Sequence, residues 1–129
     1  IYLSELTEKY EFIKFLGKRS DINDLLTISH VAILPTFYRE GTPRFLLESM
    51  AMGMPIITTD MPGCSHLIPN SKNGILIKPK NVNAIERSII EILEKNIDVM
   101  GIESHQLYMK KFSEKVVYTS IKNLYHSIF

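Results

Sequence analysis

The chain's 129 residues suit one domain built around one core. Apolar residues make up 45% and charged residues 22%, the balance of a globular protein, and Lys and Arg are scattered among Asp and Glu to a net charge of +1, which excludes a strong field for nucleic acid or an anionic membrane. The single Cys64 excludes an internal disulfide and fits a reducing compartment, and no apolar run reaches the roughly 18 residues of a membrane span.

The first residue is Ile1 and no signal peptide opens the chain, so position 1 is expected not to be a natural start. Ile1–Lys9, with Ile1, Leu3 and Leu6 apolar, fits the tail of a helix. Glu11–Leu16 alternates with period two and stops at Gly17, which predicts a strand. Asp21 is placed to cap a short helix with Ile22, Leu25 and Leu26 on one face. Val31–Leu34 is a continuous apolar run ended by Pro35, the pattern of a strand buried on both faces of a parallel sheet.

The clearest helix is Pro43–Met52: Pro at its first position, Thr42 as N-cap and Gly53 closing the end. Pro55–Thr59 predicts a second buried strand. Met61–Cys64 reads as a loop and His66–Ile68 as a short turn or helix. Asn73-Gly74 reads as a turn before the strand Ile75–Ile77. Val82–Glu94 is amphipathic, with Ile85, Ile89, Ile92 and Leu93 expected inward. Ser113 is placed to cap a last helix whose apolar residues are Val116, Val117, Ile121, Leu124, Tyr125 and Ile128. Strands alternating with helices imply an α/β fold, a Rossmann-like parallel sheet with helices on both faces.

In such sheets ligands bind beyond the carboxyl ends of the strands. Three loops are candidates: Gly17–Ser20, Pro35–Thr42 and Asp60–Cys64. The middle one, Pro-Thr-Phe-Tyr-Arg-Glu-Gly-Thr, runs straight into a helix. First-turn N–H groups lack partners and the helix dipole favours negative charge, so an anion is well held there. Gly41 leaves room beside the backbone. Glu40 precedes the helix, and Glu48 lies within it, about 7–8 Å along the axis from Pro43 at the usual rise per residue. Two acids so placed could grip the two ends of an extended ligand with its anion between them. On spacing alone, Glu40 could simply serve the dipole, and Glu48 could pair with a core Arg or lie at the edge of the buried face.

The stretch around these acids resembles the C-terminal domain of family 4 glycosyltransferases, which have two Rossmann-like domains (the GT-B fold). The matching residues are Val31–Pro35, then Arg39-Glu-Gly-Thr-Pro-Arg-Phe-Leu-Leu-Glu-Ser-Met-Ala-Met-Gly-Met-Pro-Ile-Ile-Thr-Thr-Asp, then Pro62-Gly63 and Asn73-Gly74. The segment from Gly17 to Leu26 and the closing helix also fit. The resemblance implies that residues 1–129 are a donor-binding domain lacking its first strand–helix–strand unit, the incomplete C-terminal half of such an enzyme. In a Rossmann-type order the absent strands would sit mid-sheet, leaving Glu11–Leu16 without neighbours and apolar edges exposed.

By the same resemblance Glu40 is the catalytic-site acid, hydrogen-bonded to the donor sugar. The backbone of Gly41, Thr42 and Pro43 lies along that sugar. The N–H groups of Arg44 and Phe45 face the diphosphate, Glu48 accepts from the ribose, and Lys18 and Arg19 lie near the base. The chemistry implied is retaining transfer without a metal or cofactor, from a nucleotide-sugar, UDP-type by family frequency. The acceptor would be a glycan or a polyprenyl-linked glycan of capsule, lipopolysaccharide or another bacterial surface polysaccharide. The missing N-terminal domain is the expected partner. The expected location is the cytoplasm, at the inner face of the membrane through the absent part, and these residues alone are expected to bind donor weakly and transfer nothing.

The competing readings are a non-catalytic sugar-nucleotide-binding module and a glycoside hydrolase using Glu40 and Glu48, whose carboxylates would have to flank one bond at about 5–9 Å. His66 reads as a solvated or capping residue, and the side chain of Arg44 as either a phosphate ligand or a surface group. Phe37 and Tyr38 read as acceptor-bordering or loop-packing residues. His30, His105 and His126 share no metal-ligand spacing. Cys64 has no partner His in sequence, and the methionines around Met52 read as core filling.

Overall fold

The computed structural model describes residues 3–39 and 41–128. After a helix α1 (Leu3–Lys9) and a helix α2 (Ile22–Thr27), the chain alternates strands and helices: β1 (Ala32–Leu34), α3 (Arg44–Ala51), β2 (Ile56–Thr59), a 3-10 turn Ser65–Leu67, β3 (Gly74–Ile77) and α4 (Val82–Glu94). Two further helices, α5 (Ile97–Lys111) and α6 (Glu114–Ile128), close the described chain. The strands form one parallel sheet in the order β1-β2-β3, with Ala32 opposite Ile56 and Ile57 opposite Ile75. This is the expected α/β, Rossmann-like architecture. Ile1, expected in the first helix, lies outside the described residues.

The period of two along the strands sends alternate side chains to opposite faces. On one face Ala32, Leu34, Ile56 and Leu76 meet Leu26 of α2, Leu46 and Met50 of α3 and Leu107 of α5. On the other, Ile33, Ile57, Ile75 and Ile77 meet Ile85, Ile89 and Ile92 of α4. Helices therefore cover both faces. β2, at the centre, is buried along its whole length, which its unbroken Ile-Ile-Thr-Thr composition allows. β1 has β2 on one side only, so Ile33 and Leu34 are half-buried rather than covered on both faces as expected.

α3 ends as the glycine demands. Gly53 sits at φ +72, its N–H donates to the Met50 carbonyl, and the Met54 N–H donates to the Ser49 carbonyl. This is a Schellman closure, and it returns the chain directly into β2. α4 and α5 start on asparagine caps, Asn81 accepting from the Ala84 N–H and Asn96 from the Val99 N–H.

Several expectations are corrected. Glu11–Leu16 is not a strand: it runs as a turn and irregular chain with Phe12, Phe15 and Leu16 exposed. A strand exists through its ladder, and this segment pairs with none of β1–β3. Asp21 precedes α2 but does not cap it, because its carboxylate is taken by Arg19. Thr42 does not cap α3: Pro43 occupies that position, and the Thr42 hydroxyl turns elsewhere. Leu93 is 62% exposed, lying past the edge of the α4 stripe that ends at Ile92. Ser113 precedes α6, but its hydroxyl donates back to the Met109 carbonyl. Of the apolar set of α6 only Val116 is half-buried, and the rest face outward. Helix α5 falls where the sequence pattern marks no element. Its apolar residues are spread around the helix, so the period that reveals an amphipathic element is absent.

Candidate functional site

The carboxyl ends of β1 and β2 set the geometry. The Thr58 hydroxyl donates to the Leu34 carbonyl at 2.9 Å, and the Thr59 hydroxyl donates to the Thr36 carbonyl. Two buried threonines of β2 thus fix where the chain leaves β1 and enters the Pro35–Thr42 loop. That loop delivers Pro43, buried, at the mouth of α3. Pro43 has φ −64 and ψ 124, and no side chain among the described residues caps the helix. Proline offers neither an N–H nor an acceptor side chain, so the Arg44 and Phe45 N–H groups face outward without a capping oxygen. Gly41 lies beside them in open space. The second half of the loop's grip comes from α3 itself, anchored by Leu46 and Met50, both 0% exposed.

Glu48 sits one turn inside α3 with its side chain 30% exposed, and Arg44, 90% exposed, donates from Nε to its Oε1 at 2.6 Å. Both residues line a cleft of about 570 Å³ whose opposite wall is Ser20–Asp24, at the start of α2. There Arg19 donates through Nε and Nη2 to the two Asp21 oxygens, at 2.7 and 2.5 Å. That hydrogen-bonded guanidinium holds the Asp21 carboxyl below the usual carboxylate range, and Arg19 is raised in turn. Lys18 is exposed in the same loop. The cleft therefore has the Arg44–Glu48 pair on one wall and Asp21, held by Arg19 behind it, on the other. Two elements distant in sequence, the Arg19 loop and α3, are brought face to face.

Of the residues singled out from sequence, Gly41, Thr42, Pro43, Arg44, Phe45 and Glu48 converge on the mouth and first turns of α3. Arg19 lies across the cleft. Glu40 lies outside the described residues. Phe37 packs on Tyr38 at 4.4 Å between ring centroids, and the Lys80 ammonium lies 5.0 Å from the Phe37 ring centroid. Both rings stay exposed, Phe37 at 44% and Tyr38 at 64%. A larger cleft, about 660 Å³, lies at the amino ends of β1 and β2 and holds neither Glu48 nor the α3 mouth. By the rule that open parallel sheets bind at strand carboxyl ends, the smaller cleft is the functional candidate.

One residue read from sequence as solvated or capping stands in the site. His66, on the 3-10 turn after β2, brings Nε2 to 3.3 Å from the Thr42 hydroxyl. Its ring leans on Phe112 at 5.8 Å. The only sequence signal for it was its place just beyond the carboxyl end of a predicted strand. Among the described residues no three of His, Cys, Asp and Glu converge as a metal site, and no helix is long and apolar enough to cross a membrane.

The family described as "Glycosyl transferases group 1" matches residues 1–115. The chain is 38% identical over 82 residues to the N,N'-diacetylbacillosaminyl-diphospho-undecaprenol alpha-1,3-N-acetylgalactosaminyltransferase of Campylobacter jejuni, covering 64% of this chain and 22% of that protein. It is 28% identical over 111 residues to the UDP-Gal:alpha-D-GlcNAc-diphosphoundecaprenol alpha-1,3-galactosyltransferase of Escherichia coli, covering 85% of this chain and 28% of that protein. Among solved structures, HepE of Anabaena in complex with UDP superposes with a TM-score of 0.87 at 21% identity, over 98% of this chain and 37% of that one. A glycosyltransferase from Rickettsia africae superposes at 0.85 and 24% identity, over 98% and 34%. These likenesses establish the fold, and the chain spans about a quarter of the length of the two relatives.

Proposed function

The chain belongs to the group 1 glycosyl transferases, and from that premise we propose that it is the donor-binding half of a retaining enzyme of bacterial surface-polysaccharide synthesis. The proposed donor is a nucleotide-sugar, UDP-linked, and the proposed acceptor a glycan or polyprenyl-linked glycan. The supporting observation is the uncapped mouth of α3, with Glu48 half-buried one turn inside and a cleft between them and the Arg19 loop.

The physical demand of the reaction is stabilisation of charge on the departing nucleoside diphosphate. In this reading the Arg44 and Phe45 N–H groups donate to its phosphates. They are fixed before the reaction by Leu46 and Met50 in the core, so little reorganisation accompanies bond breaking. Glu48 accepts from the ribose hydroxyls, exchanging its contact with Arg44. Glu40 accepts from the sugar hydroxyls, and Gly41, Thr42 and Pro43 pass along the sugar. Lys18 and Arg19 border the base. No carboxylate attacks the sugar and no metal or cofactor takes part. The remaining contacts, including the acceptor site, come from the N-terminal domain, and the polyprenyl acceptor places the reaction at the cytoplasmic face of the membrane. The names of the Campylobacter and Escherichia relatives, both built on undecaprenyl diphosphate acceptors, support the acceptor class.

The test is a panel of sugar nucleotides offered to the full-length protein with polyprenyl-diphosphate glycans, in the presence of excess chelator. Transfer with retained anomeric configuration is expected, and Glu40→Gln and Glu48→Gln each should lower kcat/KM at least ten-fold. Unchanged transfer in both variants, or phosphates bound away from Arg44 and Phe45, would overturn the reading.

A further inference from the structure

His66 has an unusual setting for an exposed side chain. Its neighbours Cys64 and Leu67 are 1% and 0% exposed, so the backbone on either side is locked into the core. Its ring, by contrast, is outside, supported on one side by Phe112 at the end of α5 and touching only Thr42 among polar groups of the described residues. A ring held this firmly but left out of the core contributes little burial. What it does is direct one hydroxyl.

The free alternative for that hydroxyl is known from its chemistry. Thr and Ser side chains bond to the backbone N–H two residues on, in ST-turns, or cap the helix that follows. For Thr42 the N–H two residues on is that of Arg44, at the mouth of α3. A hydroxyl placed there would satisfy a group needed by an incoming anion and would have to be displaced. In the structure the hydroxyl instead faces the His66 ring at 3.3 Å, and no side chain among the described residues caps α3. This holds in either tautomer, because Nε2 can accept from the hydroxyl or donate to it. Pro43 completes the arrangement by bringing no capping oxygen of its own.

We propose that His66 is a positioning residue that draws the Thr42 hydroxyl away from the amino end of α3 and so keeps the Arg44 N–H open for the donor's phosphate. The inference rests on the proposed donor site. It adds a residue from the loop after β2 to a site otherwise built from the loop after β1, α3 and the Arg19 loop. Phe112 supports the ring from behind, so the junction of α5 and α6 bears on donor binding without touching it.

The experiment is titration of the full-length protein with UDP by calorimetry, together with steady-state KM values for donor and acceptor. His66→Ala is expected to weaken UDP about ten-fold and to raise the donor KM while leaving the acceptor KM within two-fold. His66→Asn, which retains a polar partner for the hydroxyl, should recover most of the affinity. Adding Thr42→Val to His66→Ala removes the competing hydroxyl and should likewise recover at least three-fold. UDP affinity within two-fold of wild type in His66→Ala, or equal loss in the single and double variants, overturns the proposal. A wild-type protein that binds no sugar nucleotide or UDP defeats the proposed function itself, so the two failures are distinct.

Discussion

Arg44 donates to Glu48 across one turn of α3, Nε to Oε1 at 2.6 Å, in a polarity that works against the helix. A cation in the first turn opposes the dipole, and an acid placed before a base is the better order for pairs four apart. With Arg44 90% exposed, solvent screens most of the attraction. The pair is therefore expected to contribute little to stability. Arg44→Ala and Glu48→Gln should each shift the unfolding free energy by less than about 0.5 kcal/mol in urea titrations. Glu48→Gln should nevertheless cost donor affinity about ten-fold, the scale of a lost hydrogen bond to a charged group. Loss of stability in step with loss of binding would show a structural acid instead.

Gly101 decides how closely α5 approaches the end of α3. A Cβ there would lie 2.2 Å from the Gly53 carbonyl oxygen, a backbone atom on a tight left-handed turn at φ +72. Neither side can yield without opening the Schellman closure that feeds β2. Gly101→Ala should therefore destabilise the protein by about 2–3 kcal/mol despite the better helix propensity of alanine, the usual cost of overpacking. Thermal or chemical denaturation of the variant measures this, and a neutral or stabilising outcome would mean that α5 can slide on α3.

What could be read from sequence followed local signals. Pro35, Pro43, Gly53 and Asn73-Gly74 mark the boundaries of β1, α3 and β3, so the sheet and the α3 mouth were legible to within a residue or two. The α4 stripe was legible because Ile85, Ile89 and Ile92 recur at helical spacing. Glu11–Leu16 has the pattern of a strand, but pairing is a property of neighbours and not of the segment. α5 buries the small Gly101 and Ser104, which carry no hydrophobic signal, beside Met100, and its apolar residues follow no helical stripe. The role of His66 depends on Thr42, 24 positions away, and no spacing rule reaches across β2 to find it.

Asp21 offers a pH-dependent test of the cleft wall. Its carboxyl is held below the ordinary range, first by the hydrogen bond from Arg19. A carboxyl lowered on folding contributes stability that is present above its unfolded value, near 3.9, and lost as pH falls through the lower folded value. The Arg19 loop should thus keep its geometry down to about pH 4 and loosen only in stronger acid. NMR titration of the Asp21 carboxyl carbon should give a midpoint below the usual aspartate range, and Arg19→Ala should raise it into that range. An ordinary midpoint in the wild type would mean the pair does not persist in solution.

The surface left by this fold predicts how the 129-residue chain behaves by itself. Phe12 is 84%, Phe15 62% and Leu16 50% exposed, and they follow one another in a segment with no ladder to hold it. On α6, Val117, Ile121, Leu124 and Ile128 recur at helical spacing with no buried side chain anywhere on the helix. β1 pairs with β2 alone and offers its other edge. Apolar patches and open edges of this kind drive association, because covering each one removes apolar area from water at about 25 cal/mol per Å². The isolated chain at tens of micromolar should run above 14.8 kDa by light scattering, with a mass that rises with concentration, and should bind a hydrophobic dye. Phe12→Ser with Phe15→Ser, and separately Ile121→Lys with Leu124→Lys, should each lower the apparent mass. If the unmodified chain ran as a dye-silent monomer, these surfaces would have to be covered in solution by a rearrangement of α6 and the Phe12 segment.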